Sequence, residues 1–297
     1  MSRSVPETEF TPPFLTLEPE WQSVPFVFNA PHAGAVYPAE FLTHSHLEPT
    51  VLRSSEDAFV DKLFAGVVPL GAPLLSACFP RAYLDVNREP YELDPRMFDG
   101  RLPAYVNTRS MRVAGGLGTI PRIVADGYGI YRGRLSVADG LARIETLYKP
   151  YHRALRALLN RTVDRFGHVV LVDCHSMPSS SLNRQDLTQA EIVLGDRYGT
   201  SCAGLLTDLV EKALGERGYL AVRNKPYAGG FITEHYGAPE LGRHALQVEI
   251  NRSLYMDERT LEPRPGFSAI ADDLAAAFGQ VMRDLGNDLA PLRIAAE

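Results

Sequence analysis

The stretch "HVVLVDCHSMPS", His168 to Ser179, decides how this chain is read. Val169, Val170, Leu171 and Val172 are four consecutive apolar residues, three of them β-branched. Such a run suits a strand covered on both faces of a largely parallel sheet. The apolar run gives way to Asp173, Cys174, His175 and Ser176, and Pro178 ends the regular structure. A buried strand is therefore expected to deliver a carboxylate and an imidazole at its C-terminal end. In open α/β sheets that end is where ligands bind.

Working outward, "VPFVFNA" (24–30) reads as a second strand, and "PHAG" follows it directly. "SSEDAFVDKLFAGV" reads as a helix capped by Ser54 or Ser55, with Phe59, Val60, Leu63, Phe64 and Val67 on one face. Residues 73–79 and 82–87 read as strands. Residues 88–135 are rich in Pro, Gly and Arg without a sustained period, as in functional loop regions. A long helix is expected over 137–166, kinked or split at Pro150. Strands at 191–196, 219–224 and 245–251 and helices at 201–218 and 266–286 complete the pattern. Alternating strands and helices predict one α/β domain with a mostly parallel sheet over 25–297, after an irregular segment at 1–24.

The totals narrow the function classes. The chain has 297 residues, 45% of them hydrophobic, with a net charge of −6, and no basic stripe marks a nucleic-acid partner. Three cysteines without CxxC spacing predict a reduced, cytoplasmic protein. The N-terminus lacks the apolar core of a signal peptide, and "FAGVVPLGAPLLSACF" is too short and too broken to span a bilayer, so no membrane partner is expected.

The strand ends then supply a list. His32 follows the first strand, Asn87 and Arg88 follow "AYLDV", His175 follows "HVVLV", and Glu249 lies in "ALQVEIN". Two neutral imidazoles suit a zinc-type ion, with a third ligand from the "SSED" segment, Glu56 or Asp57. Glu249 suits a base, and an arginine beside the site suits a substrate carboxylate. Structural readings stand beside these. Glu56 and Asp57 suit a helix dipole or a capping box, Arg88 an ordinary surface ion pair, and Glu249 the solvent side of an edge strand. Thr233, His235 and Tyr236 in "YAGGFITEHYG" read equally as a substrate lid or a hairpin turn.

With these residues assembled, the chain resembles the N-formylglutamate amidohydrolase family. The motifs that carry the resemblance are "PHAG", "SSEDAFVDKLF", "PRAYLDVNR", "YKPYH", "VDCHS", "GGFITEHYG" and "LQVEINRSLYMDE", in that order, over most of the chain. The resemblance implies a three-layer α/β/α fold with a mostly parallel mixed sheet, similar to zinc carboxypeptidases and aspartoacylase. It implies His32, Asp57 and His175 as ligands of one divalent metal, with Glu56 as the alternative to Asp57. Zinc fits best, and cobalt, manganese and iron are compatible. It implies Glu249 as catalytic base and Arg81 as the group polarising the scissile carbonyl. Asn87 and Arg88 would grip a substrate carboxylate, and Thr233, His235, Tyr236 and Arg252 would line the substrate side. The implied reaction is hydrolysis of N-formyl-L-glutamate or a similar N-formyl amino acid to formate and the amino acid, as in histidine breakdown.

Three other readings stand beside this one. A metal-dependent amidase or carboxypeptidase-like hydrolase would differ in the acyl group it accepts. A non-catalytic binding protein would be expected to lose a ligand or the base, and here His32, His175 and Glu249 are all present. A flavodoxin-like nucleotide binder would want a Gly-rich phosphate loop, and "PHAG" is a poor one.

Overall fold

In the computed structural model, which describes residues 10–124, 127–181, 190–286 and 289, the apolar run at 169–172 does not stop at Asp173. The strand runs Val169–Met177, and all nine residues are buried. Asp173 and His175 are therefore inside the strand, two residues apart and on one face, not in a turn beyond it.

This strand, β4, sits at the centre of a seven-stranded sheet. The others are β1 (Phe14–Leu17), β2 (Phe26–Ala30), β3 (Leu74–Ala77), β5 (Ile192–Gly195), β6 (Ala221–Arg223) and β7 (Arg243–Asn251), in the order β1-β3-β2-β4-β7-β5-β6. β2 and β7 flank β4 and run parallel to it, with Asn29 opposite Asp173 and Glu249 opposite His175. β5 runs antiparallel to β7, and β6 parallel to β5. The result is a mixed α/β fold with a mostly parallel central sheet, as expected.

The chain forms two compact units, each assembled from three stretches. The first comprises residues 1–15, 31–58 and 76–154, and the second residues 16–30, 59–75 and 155–297. The second unit contains β2, β4, β5, β6 and β7 entire. Its core joins strand to helix through aromatic rings. Phe28 of β2 meets Phe278 edge-on at 5.1 Å, and both lie near Phe64, at 6.1 and 5.9 Å. Phe278 belongs to a helix over Phe267–Leu285, which also packs on the Gly204–Gly215 helix. Among the described residues no helix is long and apolar enough to cross a membrane.

Several elements differ from the sequence expectation. Strand β1 forms inside the segment expected to be irregular, whose first nine residues lie outside the described ones. The "SSED" segment is not the start of a helix. The Ser54 and Ser55 hydroxyls bond back to the carbonyls of Val51 and Leu52, closing a preceding helix at Pro49–Arg53. Phe59 then takes a left-handed backbone (φ 64°) before a short helix at Val60–Leu63. Residues 82–87 form turns, not a strand. The Tyr83 and Leu84 amides bond to the Pro80 carbonyl, and Asp85 Oδ1 accepts from the Asn87 amide. Side-chain closure of this kind competes with a sheet ladder. The long helix is interrupted, as expected near Pro150, by a π-helical turn at Ile144–Tyr148.

The second unit also buries His168 and His244. Nδ1 of His244 accepts from the Ala203 amide at 3.2 Å, and Nε2 donates to the Leu289 carbonyl at 3.2 Å. Both ring nitrogens are thus committed in the neutral form. Burial lowers the pKa of each imidazole from its ordinary value, and His168 adds to the lowering at His244. A folded-state pKa below the unfolded value of about 6.5 favours the native state above that value and withdraws that stability as pH falls through the folded pKa. Urea-unfolding midpoints are therefore expected to drop as the pH falls below about 6.5, and His244→Gln is expected to flatten that drop.

Candidate active site

The first unit collects six of the residues singled out in the sequence, His32, Glu56, Asp57, Arg81, Asn87 and Arg88. β2 ends at Ala30, and two residues later His32 is buried. The glycine of "PHAG" is required for close approach, because a Cβ on Gly34 would lie 2.1 Å from the Phe79 carbonyl oxygen. The Asp57 amide donates to the His32 carbonyl at 3.1 Å, which ties the irregular 54–59 segment to this loop. Asp57 Oδ2 then lies 3.4 Å from His32 Nδ1. Glu56 is buried too, but it accepts from Arg53 Nε and Nη2 at 3.0 and 3.2 Å. Of the two carboxylates weighed, Asp57 is the one beside His32.

Nε2 of His32 lies 2.7 Å from Asp85 Oδ1. Asp85 is the hub of this unit and was not among the residues chosen from the sequence. It also accepts from Arg81 Nη2 at 2.9 Å and from the Asn87 amide at 2.8 Å, and Arg88 Nη2 lies 3.6 Å away. Burial raises the Asp85 carboxyl, but Arg88, His32 and Arg81 outweigh it and hold it well below the usual carboxylate range. An ionised Asp85 only accepts, so His32 donates through Nε2, and its neutral form carries the lone pair on Nδ1. Arg81 also stands 3.9 Å from Asp57 Oδ1. Burial draws the Arg88 guanidinium below its ordinary value, with Asp85 opposing the shift.

The second unit repeats the arrangement on the sheet. Asn29 Nδ2 donates to Asp173 Oδ1 at 2.7 Å, and Asp173 Oδ2 meets His175 Nε2 at 2.9 Å. In a neutral His175 that donates through Nε2, the lone pair is on Nδ1. Glu249 is the register partner of His175 on β7, buried with 6% of its surface exposed. It does not face solvent on an edge strand. Gln247 Nε2 donates to Glu249 Oε1 at 2.8 Å, and Gln247 Oε1 accepts from the Gly230 amide at 2.7 Å. The face shared by β2, β4 and β7 thus carries Asn29, Asp173, His175, Gln247 and Glu249, all buried and hydrogen-bonded. Arg252, also buried, donates through Nε to Ser176 Oγ at 3.1 Å.

Residues 231–236 form a short helix, not a hairpin. Thr233 is buried and donates to the Gly230 carbonyl at 2.9 Å, Tyr236 is buried, and His235 is exposed. Partial desolvation, assisted by the Arg156 charge, lowers the His235 pKa from its ordinary value. Burial pushes the Tyr236 phenol up to about 12 against the pull of Arg156.

A histidine whose second nitrogen donates to a carboxylate is the usual setting of an imidazole metal ligand, because the bond fixes the tautomer and raises ligand basicity. The chain builds this setting twice, at His32–Asp85 and His175–Asp173. The missed signal was local: Asp173 stands two residues before His175, on the same strand face. Asp85 gave no such signal, because it is 53 residues from His32 and only the fold pairs them.

The whole chain was compared with known proteins. The chain is 29% identical over 266 residues to an N-formylglutamate deformylase of Pseudomonas aeruginosa, covering 88% of this chain and 91% of that one. It is 28% identical to an N-formylglutamate deformylase of Pseudomonas putida, over 79% and 83% of the two chains. The crystal structure of an N-formylglutamate amidohydrolase from Ralstonia eutropha superposes with a TM-score of 0.85 at 38% identity, covering 92% of this chain and 99% of that one. Residues 24–256 match the sequence profile of N-formylglutamate amidohydrolase, and that span contains every site residue named above. The chain belongs to the N-formylglutamate amidohydrolase family.

Proposed function

We propose that the protein is a metal-dependent amidohydrolase that removes the formyl group from N-formyl-L-glutamate or a closely similar N-formyl amino acid, giving formate and the amino acid. Family membership supports the reaction class. The observation that carries the metal is the pair of buried histidines, each backed at Nε2 by a buried aspartate. We assign His32, Asp57 and His175 as the ligands. All three are buried, and each offers one ligand atom. Two imidazoles and a carboxylate suit zinc in a catalytic role, where three protein ligands are usual.

A bound divalent ion supplies Lewis acidity toward a carbonyl oxygen and lowers the pKa of a water toward neutrality. The chain's own groups do the rest. Glu249 takes the proton of the attacking water and returns it to the leaving amine. The hydrogen bond from Gln247 fixes the rotamer of that carboxylate before the reaction begins. Arg81 stabilises negative charge growing on the formyl oxygen, and it is already oriented by Asp85. Asn87 and Arg88 hold the α-carboxylate of the amino acid, a task that suits the planar guanidinium fork. Arg252, with Thr233, His235 and Tyr236, is assigned to the remainder of the substrate.

Elemental analysis paired with formate release from N-formyl-L-glutamate tests this reading, with N-acetyl-L-glutamate as the comparison. About one zinc per chain is expected, with formate released faster than acetate. His175→Ala is expected to lose the metal. Glu249→Gln is expected to keep it while activity falls by about 10²–10⁴-fold. Asp173→Asn is expected to weaken zinc binding by about 10–100-fold. A wild-type protein that takes up no metal on reconstitution would exclude the proposal.

A further inference from the structure

The motif "YKPYH", Tyr148–His152, is left without a part by the reaction just described, yet it reaches the residues that carry it out. Three side chains from one helical stretch of the first unit bond to carbonyls of a single short segment. Arg143 Nη1 donates to the Tyr83 carbonyl at 3.1 Å. His152 Nε2 donates to the Val86 carbonyl at 2.8 Å. The Tyr148 hydroxyl donates to the Arg88 carbonyl at 2.6 Å. The three carbonyls bracket Asp85 and Asn87. Asp85 is the carboxylate behind His32, and Arg88 carries the guanidinium beside it.

The helix is shaped for this contact. Pro150 has no N–H to offer the turn before it, and its ring crowds the carbonyl four residues back. The π-helical turn at Ile144–Tyr148 relieves both problems. A turn of i→i+5 bonds also brings residues five apart, Arg143 and Tyr148, toward one side, which the 3.6-residue turn of an α-helix does not. Tyr148 and His152 then lie ring against ring, 4.3 Å between centroids and tilted by 32°. Arg143 is fixed independently, over the Tyr83 ring at 3.8 Å and against the Tyr131 hydroxyl at 2.9 Å.

We propose that Tyr148 and His152 are positioning residues of the metal centre: by holding the Val86 and Arg88 carbonyls they set Asp85 against His32 and fix the Arg88 guanidinium. This rests on the proposed assignment of His32 as a metal ligand and Arg88 as a carboxylate grip. A positioning role requires no contact of either residue with substrate. Their effect passes through backbone, so it should appear in zinc affinity and in KM more than in kcat.

The test compares the wild-type enzyme with Tyr148→Phe, His152→Leu and His152→Gln. Tyr148→Phe removes one hydroxyl and keeps the ring, and glutamine keeps an N–H donor where leucine does not. Amide exchange across 83–88 is read by mass spectrometry, zinc affinity by competition with a chelator, and KM with N-formyl-L-glutamate. Tyr148→Phe and His152→Leu are expected to speed exchange across 83–88 while 169–177 stays protected. Each is expected to weaken zinc binding by about threefold to tenfold and to raise KM by a similar factor, smaller than the loss for a directly bonded partner. His152→Gln should return most of both losses. Unchanged exchange in both disruptive variants would overturn the proposal. So would faster exchange with zinc affinity and KM both unmoved. A wild-type protein that binds no zinc and releases no formate would instead bring down the functional reading on which this rests, which is a distinct result.

Discussion

The hydrogen bond between a histidine Nε2 and a buried aspartate is the interaction on which the site depends. It appears at His32–Asp85 and again at His175–Asp173. An ionised carboxylate accepts and cannot donate, so the bond decides which ring nitrogen keeps its proton. In the neutral form, that choice leaves the lone pair of each imidazole on Nδ1. On the proposed assignment, the aspartates determine which nitrogen each histidine offers to a metal.

Burying such carboxylates is costly, several kcal/mol each by order of magnitude, unless their oxygens are satisfied. The chain meets that cost differently in its two units. Asp173 sits in a central strand, where Asn29 across the β2–β4 pair supplies the second donor. Asp85 sits in a turn, where two guanidiniums and a backbone amide surround it. The strand solution is rigid through sheet pairing. The turn solution has no ladder to lean on, and the carbonyl bonds from Arg143, Tyr148 and His152 take the place of one.

Much of this was legible in the sequence, and the limits have physical causes. The apolar run at 169–172 identified a central buried strand, and the α/β alternation identified the sheet. "PHAG" and "VDCHS" marked both histidines because strand ends are where open sheets present ligands. The sequence pattern overextended the "SSED" helix, because serine hydroxyls cap a following helix or close a preceding one with equal ease. It read 82–87 as a strand from apolar residues that pack a turn instead. It left "GGFITEHY" between lid and hairpin, and the chain forms a short helix there. Asp85 was passed over because nothing local distinguishes it from any aspartate in a polar motif. Its meaning comes from a partner far along the chain, and contacts of that kind are set by tertiary packing.

The proposed function turns on His32 and His175 each presenting Nδ1 to a metal ion because an aspartate holds Nε2. The most direct test is a crystal of the zinc-loaded protein with anomalous data collected at the zinc edge. The account predicts one peak about 2.0–2.1 Å from Nδ1 of His32 and of His175, with a carboxylate oxygen of Asp57 at about 2.0–2.2 Å. Coordination through Nε2 with Asp85 or Asp173 displaced, or a zinc peak away from these side chains, would contradict it.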